Sequence, residues 1–292
     1  MKTLKRLFNE KKVSLLAGAH DAIGASIVEE CGFDAVWISG FEMSAMCGVP
    51  DTNILSVKEI VWIAQYICES VKIPTLIDGD SGYGDFHNII HAVKSFEKIG
   101  IQGISIEDKA FPKKNSFLNT EHSLLTIEEF SCNISAACSA RISNNFLIIA
   151  RTEELIAGGN VEKALIRCEK YVESGADAII VHSKENGPDL VINFAQKWNL
   201  NVPLIIIPTT FPQLTFKEAE NVGINGIIYA NQGIRSSVLA MKKVFSQIIQ
   251  DGTAQKVEEN LSSIADIFKI QKMEKYIYDE NKFKIDKDKL LI

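Results

Sequence analysis

Short apolar runs recur along the chain and alternate with longer stretches in which apolar residues follow helical spacing. Such runs predict buried strands, and their alternation with amphipathic helices predicts βα units around a parallel sheet, an α/β fold. Eight units close naturally into a (β/α)8 TIM barrel. An open doubly wound sheet is the alternative, but no G-x-G-x-x-G follows the first strand. The predicted strands are Ser14–Ala19, Ala35–Ser39, Thr75–Asp78, Gly103–Glu107, Phe146–Arg151, Ala178–His182, Leu204–Pro208 and Gly226–Ala230.

Local signals at helix ends support the predicted helices independently of the strands. A hydroxyl residue followed three positions later by Glu predicts a capping box at a helix start. Gly32, Gly100 and Gly175 each precede a predicted strand, where glycine predicts a left-handed cap at the end of the preceding helix. The predicted capping boxes pair Ser56 with Glu59, Thr126 with Glu129, and Thr215 with Glu218.

The strand pattern stops after about Asp251, so residues 1–250 are predicted to form the barrel and residues 251–292 a C-terminal extension. Apolar residues spaced for one helical face predict a helix over Val257–Tyr278. The apolar face of that helix has to pack either on its own barrel or on another subunit.

Composition narrows the class of protein. With 46% hydrophobic and 23% charged residues the chain is typical of a globular domain with a sizeable core. The net charge is -6 and the basic residues are dispersed, which argues against a nucleic-acid surface. Six cysteines without a C-x-x-C pair argue against a zinc site and indicate reduced thiols. The amino terminus lacks a signal-peptide pattern and no apolar run could span a bilayer, so a cytoplasmic location is predicted.

The predicted strands end in polar and charged residues. In a barrel of parallel strands, the carboxyl ends of the strands form the active site. A glycine after the second strand lets backbone amides approach an anion closely. The residues at these ends are Ser39, Gly40 and Phe41 after strand two, Asp78 and Asp80 after strand three, Glu107 after strand four, Arg151 after strand five, and His182 after strand six.

Three of these residues, Asp78, Asp80 and Glu107, are carboxylates on neighbouring strands. Oxygen ligands of this kind are typical of a hard divalent cation, so the pattern predicts a Mg2+ site in which the ion keeps several waters. The alternative is a network of ion pairs between these acids and Lys109, Lys113 or Arg151.

Arg151 and His182 are candidate anion ligands, because a guanidinium at the barrel mouth suits bidentate capture of a phosphoryl or carboxylate group. The alternative for Arg151 is an ion pair with Glu153 or Glu107. Residues 108–125 form a connection longer than a typical βα loop, which predicts an active-site lid. Its candidate contacts are Lys113, Asn115 and Ser116, and a solvated charged loop is the alternative.

Several segments together resemble the phosphoenolpyruvate mutase family of the isocitrate lyase superfamily. They follow one another in order over almost the whole chain. They include Ser39-Gly40, Val49 to Asn53, Asp78-Gly79-Asp80-Ser81-Gly82-Tyr83-Gly84, Glu107 to Ser116 with the spacing E-D-K-x-F-P-K-x-N-S, Ala150-Arg151-Thr152-Glu153, and His182-Ser183-Lys184.

The resemblance implies Mg2+-dependent interconversion of phosphoenolpyruvate and phosphonopyruvate, the step that forms a P–C bond in phosphonate biosynthesis. It implies that Asp78 binds Mg2+ directly while Asp80 and Glu107 act largely through water. The amides after strand two would hold the substrate carboxylate. Arg151, His182 and Asn115 would hold the phosphoryl group, and Asp51 and Lys113 match further active-site residues.

The resemblance also implies a homo-oligomer, a dimer or tetramer in which a C-terminal helix is exchanged between subunits. Phosphonopyruvate hydrolase resembles the mutase but has Thr at the lid position that is Asn115 here, so Asn115 favours the mutase. The hydrolase is the first alternative, and a barrel that binds a metabolite without turning it over is the second. The K-K-C-G-H motif of the lyases is absent, although decarboxylation of a small oxo-acid stays open. Gly79 and Phe117 depart from the family's usual Ala and Leu.

Overall fold

The computed structural model describes residues 3–10, 12–118 and 120–284. Eight parallel strands form a closed barrel in chain order, with β8 paired to β1. Helices lie between the strands, so the predicted (β/α)8 barrel is confirmed. The strands are β1 (Ser14–Ala19), β2 (Ala35–Ile38), β3 (Thr75–Asp78), β4 (Gly103–Glu107), β5 (Leu147–Thr152), β6 (Ala178–Val181), β7 (Leu204–Ile206) and β8 (Gly226–Tyr229).

The described residues form helices between the strands, before β1 and after β8. They are α1 (Leu4–Asn9), α2 (Ala22–Glu30), α3 (Gly40–Met46), α4 (Val57–Ser70), α5 (Phe86–Lys98), α6 (Ile127–Ala140), α7 (Val161–Glu173), α8 (Asp189–Lys197), α9 (Phe216–Asn221), α10 (Gln232–Asp251), α11 (Gln255–Glu258), α12 (Ile264–Ile270) and α13 (Met273–Phe283).

β1, β3 and β4 have the predicted bounds, and the other five strands differ from the predicted ones by one or two residues. Ser39 leaves the ladder because it caps α3, where its hydroxyl accepts a hydrogen bond from the Glu42 amide at 3.3 Å. β7 stops before Pro208, which has no amide hydrogen to donate. His182 follows β6 directly, so its side chain stands at the barrel mouth as predicted from the sequence.

Two apolar clusters hold the barrel together. One fills its interior with residues such as Trp37, Ile149 and Ile228, and the other lies between the strands and the surrounding helices. Both faces of each strand are buried, which explains the continuous apolar runs in the sequence. Phe8 of α1 is fully buried in the interior cluster, so α1 contributes to the barrel core.

The predicted signals at the helix ends have the expected geometry. All three predicted capping boxes are present, at the starts of α4, α6 and α9. Gly32, Gly100 and Gly175 have φ values of 87°, 91° and 105°, a region that favours glycine. These local signals correctly marked where helices begin and end.

The chain divides into two compact units after Ser236. In the second unit, the prediction of one helix over Val257–Tyr278 is wrong, because this stretch is divided among α11, α12 and α13. Ser263 forms a capping box with Asp266 and starts a new helix, and Lys272 has a φ of 56°, which ends helical geometry before α13. No helix in the described ranges is both long and apolar enough to cross a membrane.

Candidate active site

A cavity of about 350 Å³ lies at the carboxyl ends of the strands. Its volume falls in the range of small-molecule sites. Two predicted residues, Gly40 and Asp80, do not line it but contact residues that do. The predicted site residues that line the cavity are Ser39, Phe41, Asp51, Asp78, Glu107, Lys113, Asn115, Ser116, Arg151 and His182.

One side of the cavity, here called the acidic half, consists of Asp51, Asp78, Asp80 and Lys113. The Lys113 ammonium lies 2.8 Å from Asp51 Oδ1 and donates a hydrogen bond to Asp80 Oδ1. Burial raises the pKa of Asp78, and it raises the pKa of Asp80 to about 8. Three carboxylates therefore have one buried ammonium among them, which is too little positive charge for all three to be ionised.

The carboxylates of the acidic half approach the backbone at Gly40. A Cβ at this position would lie 2.9 Å from Asp80 Oδ1 and 3.5 Å from Asp78 Oδ2. The first distance is too short for a side chain to fit without moving Asp80. Glycine at position 40 therefore allows both acids to sit against the start of α3.

Asn53 joins three loops of the acidic half, although the sequence analysis did not identify it as a site residue. Its Nδ2 donates to Asp80 Oδ2 at 3.2 Å. Its Oδ1 accepts from the Lys113 amide at 2.7 Å and from Ser81 Oγ at 3.4 Å. In the sequence, only its position two residues after the candidate Asp51 could have marked Asn53 as a site residue. No pattern indicated its hydrogen-bond partners.

The opposite side of the cavity, here called the basic half, consists of Lys109, Arg151, Glu153 and His182. Glu153 is fully buried at its centre. Its Oε1 accepts from Arg151 Nε at 2.6 Å and lies 2.9 Å from His182 Nδ1. Its Oε2 lies 2.7 Å from the Lys109 ammonium. Burial alone would raise the pKa of Glu153, but these cations hold it well below its usual range.

His182 presents one ring nitrogen that has no hydrogen-bond partner. Its Nδ1 lies between Glu153 Oε1 and Arg151 Nη2, which is 2.8 Å away. Its Nε2 is buried without a partner among the described residues, and the ring lines the cavity. Burial lowers the pKa of His182. A buried polar atom of this kind is costly unless a ligand satisfies it.

Glu107 lies between the two halves. Its Oε2 is 3.4 Å from Arg151 Nη2, and its buried Oε1 is 3.6 Å from Lys109 Nζ with no hydrogen-bond partner within the described chain. Among the residues that the structure describes, no three His, Cys, Asp or Glu side chains are grouped closely enough to hold a metal by themselves. Asp78, Asp80 and Glu107 thus lie at the same end of the barrel but do not converge on one point. The alternative, ion pairs between these acids and Lys109, Lys113 or Arg151, is present for Asp80 and Glu107.

The loop between β4 and α6 contacts both halves of the cavity. Asn115 Nδ2 donates to Asp51 Oδ2 at 2.8 Å in the acidic half. Ser116 Oγ donates to Glu153 Oε2 at 2.8 Å in the basic half. The Phe117 ring meets the His182 ring edge to face, with centroids 6.0 Å apart. The loop therefore covers the cavity, as a lid would, and is not a solvated charged loop.

Gly79, which departs from the family pattern, lies in a tight part of the β3 end. A Cβ there would lie 2.6 Å from Ile104 Cγ1 and 2.7 Å from the Ser105 carbonyl oxygen. The Gly79 amide donates to that same carbonyl at 2.7 Å. In this structure glycine allows a close approach between β3 and β4, so the acid loop is anchored at this position.

The fold and the site define a (β/α)8-barrel enzyme whose cavity is built from strand-end acids and bases. The family model described as phosphoenolpyruvate phosphomutase matches residues 4–249. The chain belongs to the phosphoenolpyruvate phosphomutase family, in the isocitrate lyase superfamily, as the motifs predicted.

Relatives with two different activities are similarly close to this chain. It is 39% identical to the phosphonopyruvate hydrolase of Variovorax sp. over 92% of this chain and 93% of the relative. A crystal structure of phosphoenolpyruvate phosphomutase from Streptomyces platensis subsp. rosaceus has a TM-score of 0.94 and 37% identity, covering 96% and 98% of the two chains. A phosphonopyruvate hydrolase structure in complex with oxalate and Mg2+ has a TM-score of 0.91 and 36% identity, covering 96% and 97%.

Proposed function

We propose that this enzyme is a phosphoenolpyruvate mutase, an isomerase that moves a phosphoryl group between the enolate oxygen and the methylene carbon of pyruvate. The observation that carries the proposal is Asn115. Its amide reaches into the cavity from the lid loop and is held by Asp51 at 2.8 Å. The motif resemblance implies Thr at this lid position in phosphonopyruvate hydrolase.

Magnesium fits the oxygen donors of the acidic half. Asp78 lines the cavity, Asp78 Oδ2 and Asp80 Oδ1 face the same point at Gly40, and Glu107 Oε1 lacks a hydrogen-bond partner among the described residues. Hard cations prefer such carboxylates and keep several waters when the ligands are few. We propose that Asp78 binds Mg2+ directly and that Asp80 and Glu107 act through water, in line with the Mg2+ in the related hydrolase structure.

Different residues of the chain then bind the carboxylate and the phosphoryl group of the substrate. The amides after Ser39, at Gly40 and Phe41, hold the substrate carboxylate. Arg151, His182 Nε2 and Asn115 hold the phosphoryl group while its bond to carbon breaks and its bond to the enolate oxygen forms. When bound, Mg2+ supplies positive charge that stabilises the enolate.

The lid has to exclude water, because water would accept the phosphoryl group and give pyruvate and phosphate. Asn115 and Ser116 tie the lid to the acidic and the basic half, respectively. Lys113 carries a pKa well above its usual range because of the surrounding carboxylates, so it stays an ammonium and adds positive charge beside Asp51 and Asp80.

The test is to incubate the purified protein with phosphonopyruvate and Mg2+ and to follow the products by 31P NMR. The mutase predicts phosphoenolpyruvate as the product. Free phosphate with pyruvate, and no phosphoenolpyruvate, would assign the chain to the hydrolase. No product at all would favour a barrel that only binds the metabolite.

Replacing Asn115 tests the residue on which the proposal rests. Asn115→Ala is expected to lower phosphoenolpyruvate formation by about 10²-fold, because one donor to the transferring group is lost. Asn115→Thr is the matched variant and is expected to raise the share of free phosphate. A mutase rate near that of the unchanged protein in Asn115→Ala would contradict the assignment.

The hydrolase is the second candidate, and one observation favours it. By sequence, the identity to the Variovorax hydrolase is 39%, against 36% to the phosphoenolpyruvate phosphomutase of Tetrahymena pyriformis. The phosphate share measured for the unchanged protein decides between the two activities.

We also propose that the protein acts in the cytoplasm, in phosphonate biosynthesis, as a homo-oligomer with an exchanged C-terminal helix. In the single chain, α10 has no buried residue, and Leu239, Phe245 and Ile249 on it are 72%, 62% and 85% exposed. Apolar faces of this kind mark contact surfaces. Light scattering should give the mass of a dimer or tetramer, and Ile249→Glu should lower it. A monomer at micromolar concentration would contradict this proposal.

A further inference from the structure

Glu153 is the one residue of the basic half that carries negative charge. It is 0% exposed, and neither its sequence position nor the motif resemblance gave it a role beyond an ion pair with Arg151. A buried carboxylate is stable only when it is paired and fully hydrogen-bonded. Both of its oxygens are occupied by polar groups.

The two oxygens of Glu153 have different neighbours. Oε1 contacts the anion ligands, with Arg151 Nε at 2.6 Å and His182 Nδ1 at 2.9 Å. Oε2 contacts the lid and its base, with Ser116 Oγ at 2.8 Å and Lys109 Nζ at 2.7 Å. One rigid carboxylate therefore joins the lid to the groups that face the cavity.

Lys109 and Ser116 close this connection into a ring of hydrogen bonds. The Lys109 ammonium donates to Ser116 Oγ at 2.5 Å, and Ser116 in turn donates to Glu153. Both residues are buried, with exposures of 2% and 5%. Opening of the lid would separate Ser116 from Glu153 Oε2, and the carboxylate that contacts Arg151 and His182 would then lose its contact with the lid.

We propose that Glu153 is a positioning residue that couples closure of the lid, through Ser116, to the orientation of Arg151 and His182. With Arg151 Nε and His182 Nδ1 held by the carboxylate, His182 Nε2 has no partner among the described residues, and both side chains line the cavity. An anion is then bound by both Arg151 and His182 only when the lid is closed and water is excluded. The consequence for turnover depends on the proposed function, whereas the link between lid and carboxylate does not.

The test uses two variants and a matched control. Ser116→Ala removes the lid contact and keeps every charge, so it is expected to fold. It therefore still tests the proposal if Glu153→Gln does not fold. Glu42→Gln is the control: Glu42 is also fully buried and contacts a histidine, His20, at 3.0 Å, but does not line the cavity.

The first measurement is hydrogen–deuterium exchange of residues 113–118 in the full-length protein with Mg2+ and oxalate as probe. Exchange is expected to rise about tenfold in Ser116→Ala and in Glu153→Gln, and to stay unchanged in Glu42→Gln. Unchanged exchange of this segment in Ser116→Ala would overturn the proposal. This readout needs no turnover, so it decides the proposal even if the protein forms no phosphoenolpyruvate.

The second measurement is product formation from phosphonopyruvate. In Glu153→Gln we expect kcat to fall about 10²-fold with a smaller change in KM, and the share of free phosphate to rise. The double variant Glu153→Gln/Ser116→Ala should be no slower than Glu153→Gln, because the contact is already lost. Fully additive losses would mean that the two residues act separately and would overturn the coupling.

Discussion

The two halves of the cavity are opposite in charge and similar in construction. In the acidic half, Asp51, Asp78 and Asp80 share the ammonium of Lys113. In the basic half, the single carboxylate of Glu153 is surrounded by a guanidinium, an ammonium and an imidazole. Each half contains one buried ion among three groups of the opposite type, so it can pair with them only in part.

This difference supports the proposal that one small cavity binds both a cation and an anion. Buried charges are tolerated when they are paired, so an unpaired remainder favours a ligand of the opposite sign. In the acidic half one ammonium serves three carboxylates, which would favour binding of a divalent cation, and in the basic half one carboxylate serves three basic side chains, which would favour binding of an anion. Adjacent lid residues, Asn115 and Ser116, contact one half each.

The largest effect is expected from removing charge in the acidic half. Asp78→Asn should lower activity by about 10³-fold, because the proposed Mg2+ site would lose its direct ligand and the enolate would lose its stabilising charge. Titration calorimetry with Mg2+ checks the cause. Asp85→Asn, a carboxylate that caps α5 outside the cavity, is the control and should keep normal Mg2+ binding. Normal Mg2+ affinity in Asp78→Asn would contradict the proposal that the acidic half binds the cation.

The next largest effect is expected in the basic half. Arg151→Lys keeps the positive charge but loses the planar fork, so kcat/KM should fall about 10²-fold while Mg2+ affinity stays the same. Steady-state kinetics and calorimetry measure the two quantities. Arg167→Lys makes the same change at a guanidinium that does not line the cavity, and it should leave substrate capture intact. A loss of Mg2+ affinity in Arg151→Lys as large as its loss of kcat/KM would show that the two halves do not act separately.

A smaller effect is expected from crowding the acids without changing charge. Gly40→Ala inserts a Cβ 2.9 Å from Asp80 Oδ1, so Asp80 has to move and Mg2+ affinity should fall about tenfold. Calorimetry with Mg2+ is the measurement. Gly187→Ala is the control, since the nearest atom to its Cβ would be 4.0 Å away. An unchanged affinity in Gly40→Ala would mean that the close approach to Gly40 is not needed.

The smallest effect is expected at His20, which belongs to neither half. Its hydrogen bond with Glu42, together with Asp21 at 3.7 Å, raises the pKa of His20 above 6.5. A raised pKa stabilises the fold below pH 6.5, and this contribution is lost as pH rises through the folded-state pKa.

Urea unfolding at several pH values between 5.5 and 8.5 measures this contribution. His20→Gln should reduce the loss of stability with rising pH and leave product formation unchanged. An identical pH dependence in His20→Gln and the unchanged protein would contradict the prediction.

Much of the fold could be predicted because its signals are local. Strands such as Ala35–Ile38 are apolar along their whole length because both faces of a barrel strand are buried. Capping boxes such as Ser56 with Glu59 act within one turn. The helix predicted over Val257–Tyr278 was wrong because its apolar spacing continued through Ser263 and Lys272, where capping and backbone geometry divide it.

The sequence by itself determined the barrel and the order of polar residues at its mouth, because strand length, burial and capping depend on neighbours in the chain. The tertiary structure decided which of those residues touch. The pairing of Glu153 with Ser116 spans 37 positions, and the pairing of Asn115 with Asp51 spans 64. Closing the barrel brings such residues within hydrogen-bonding distance, and that closure depends on the packing of all eight strands at once.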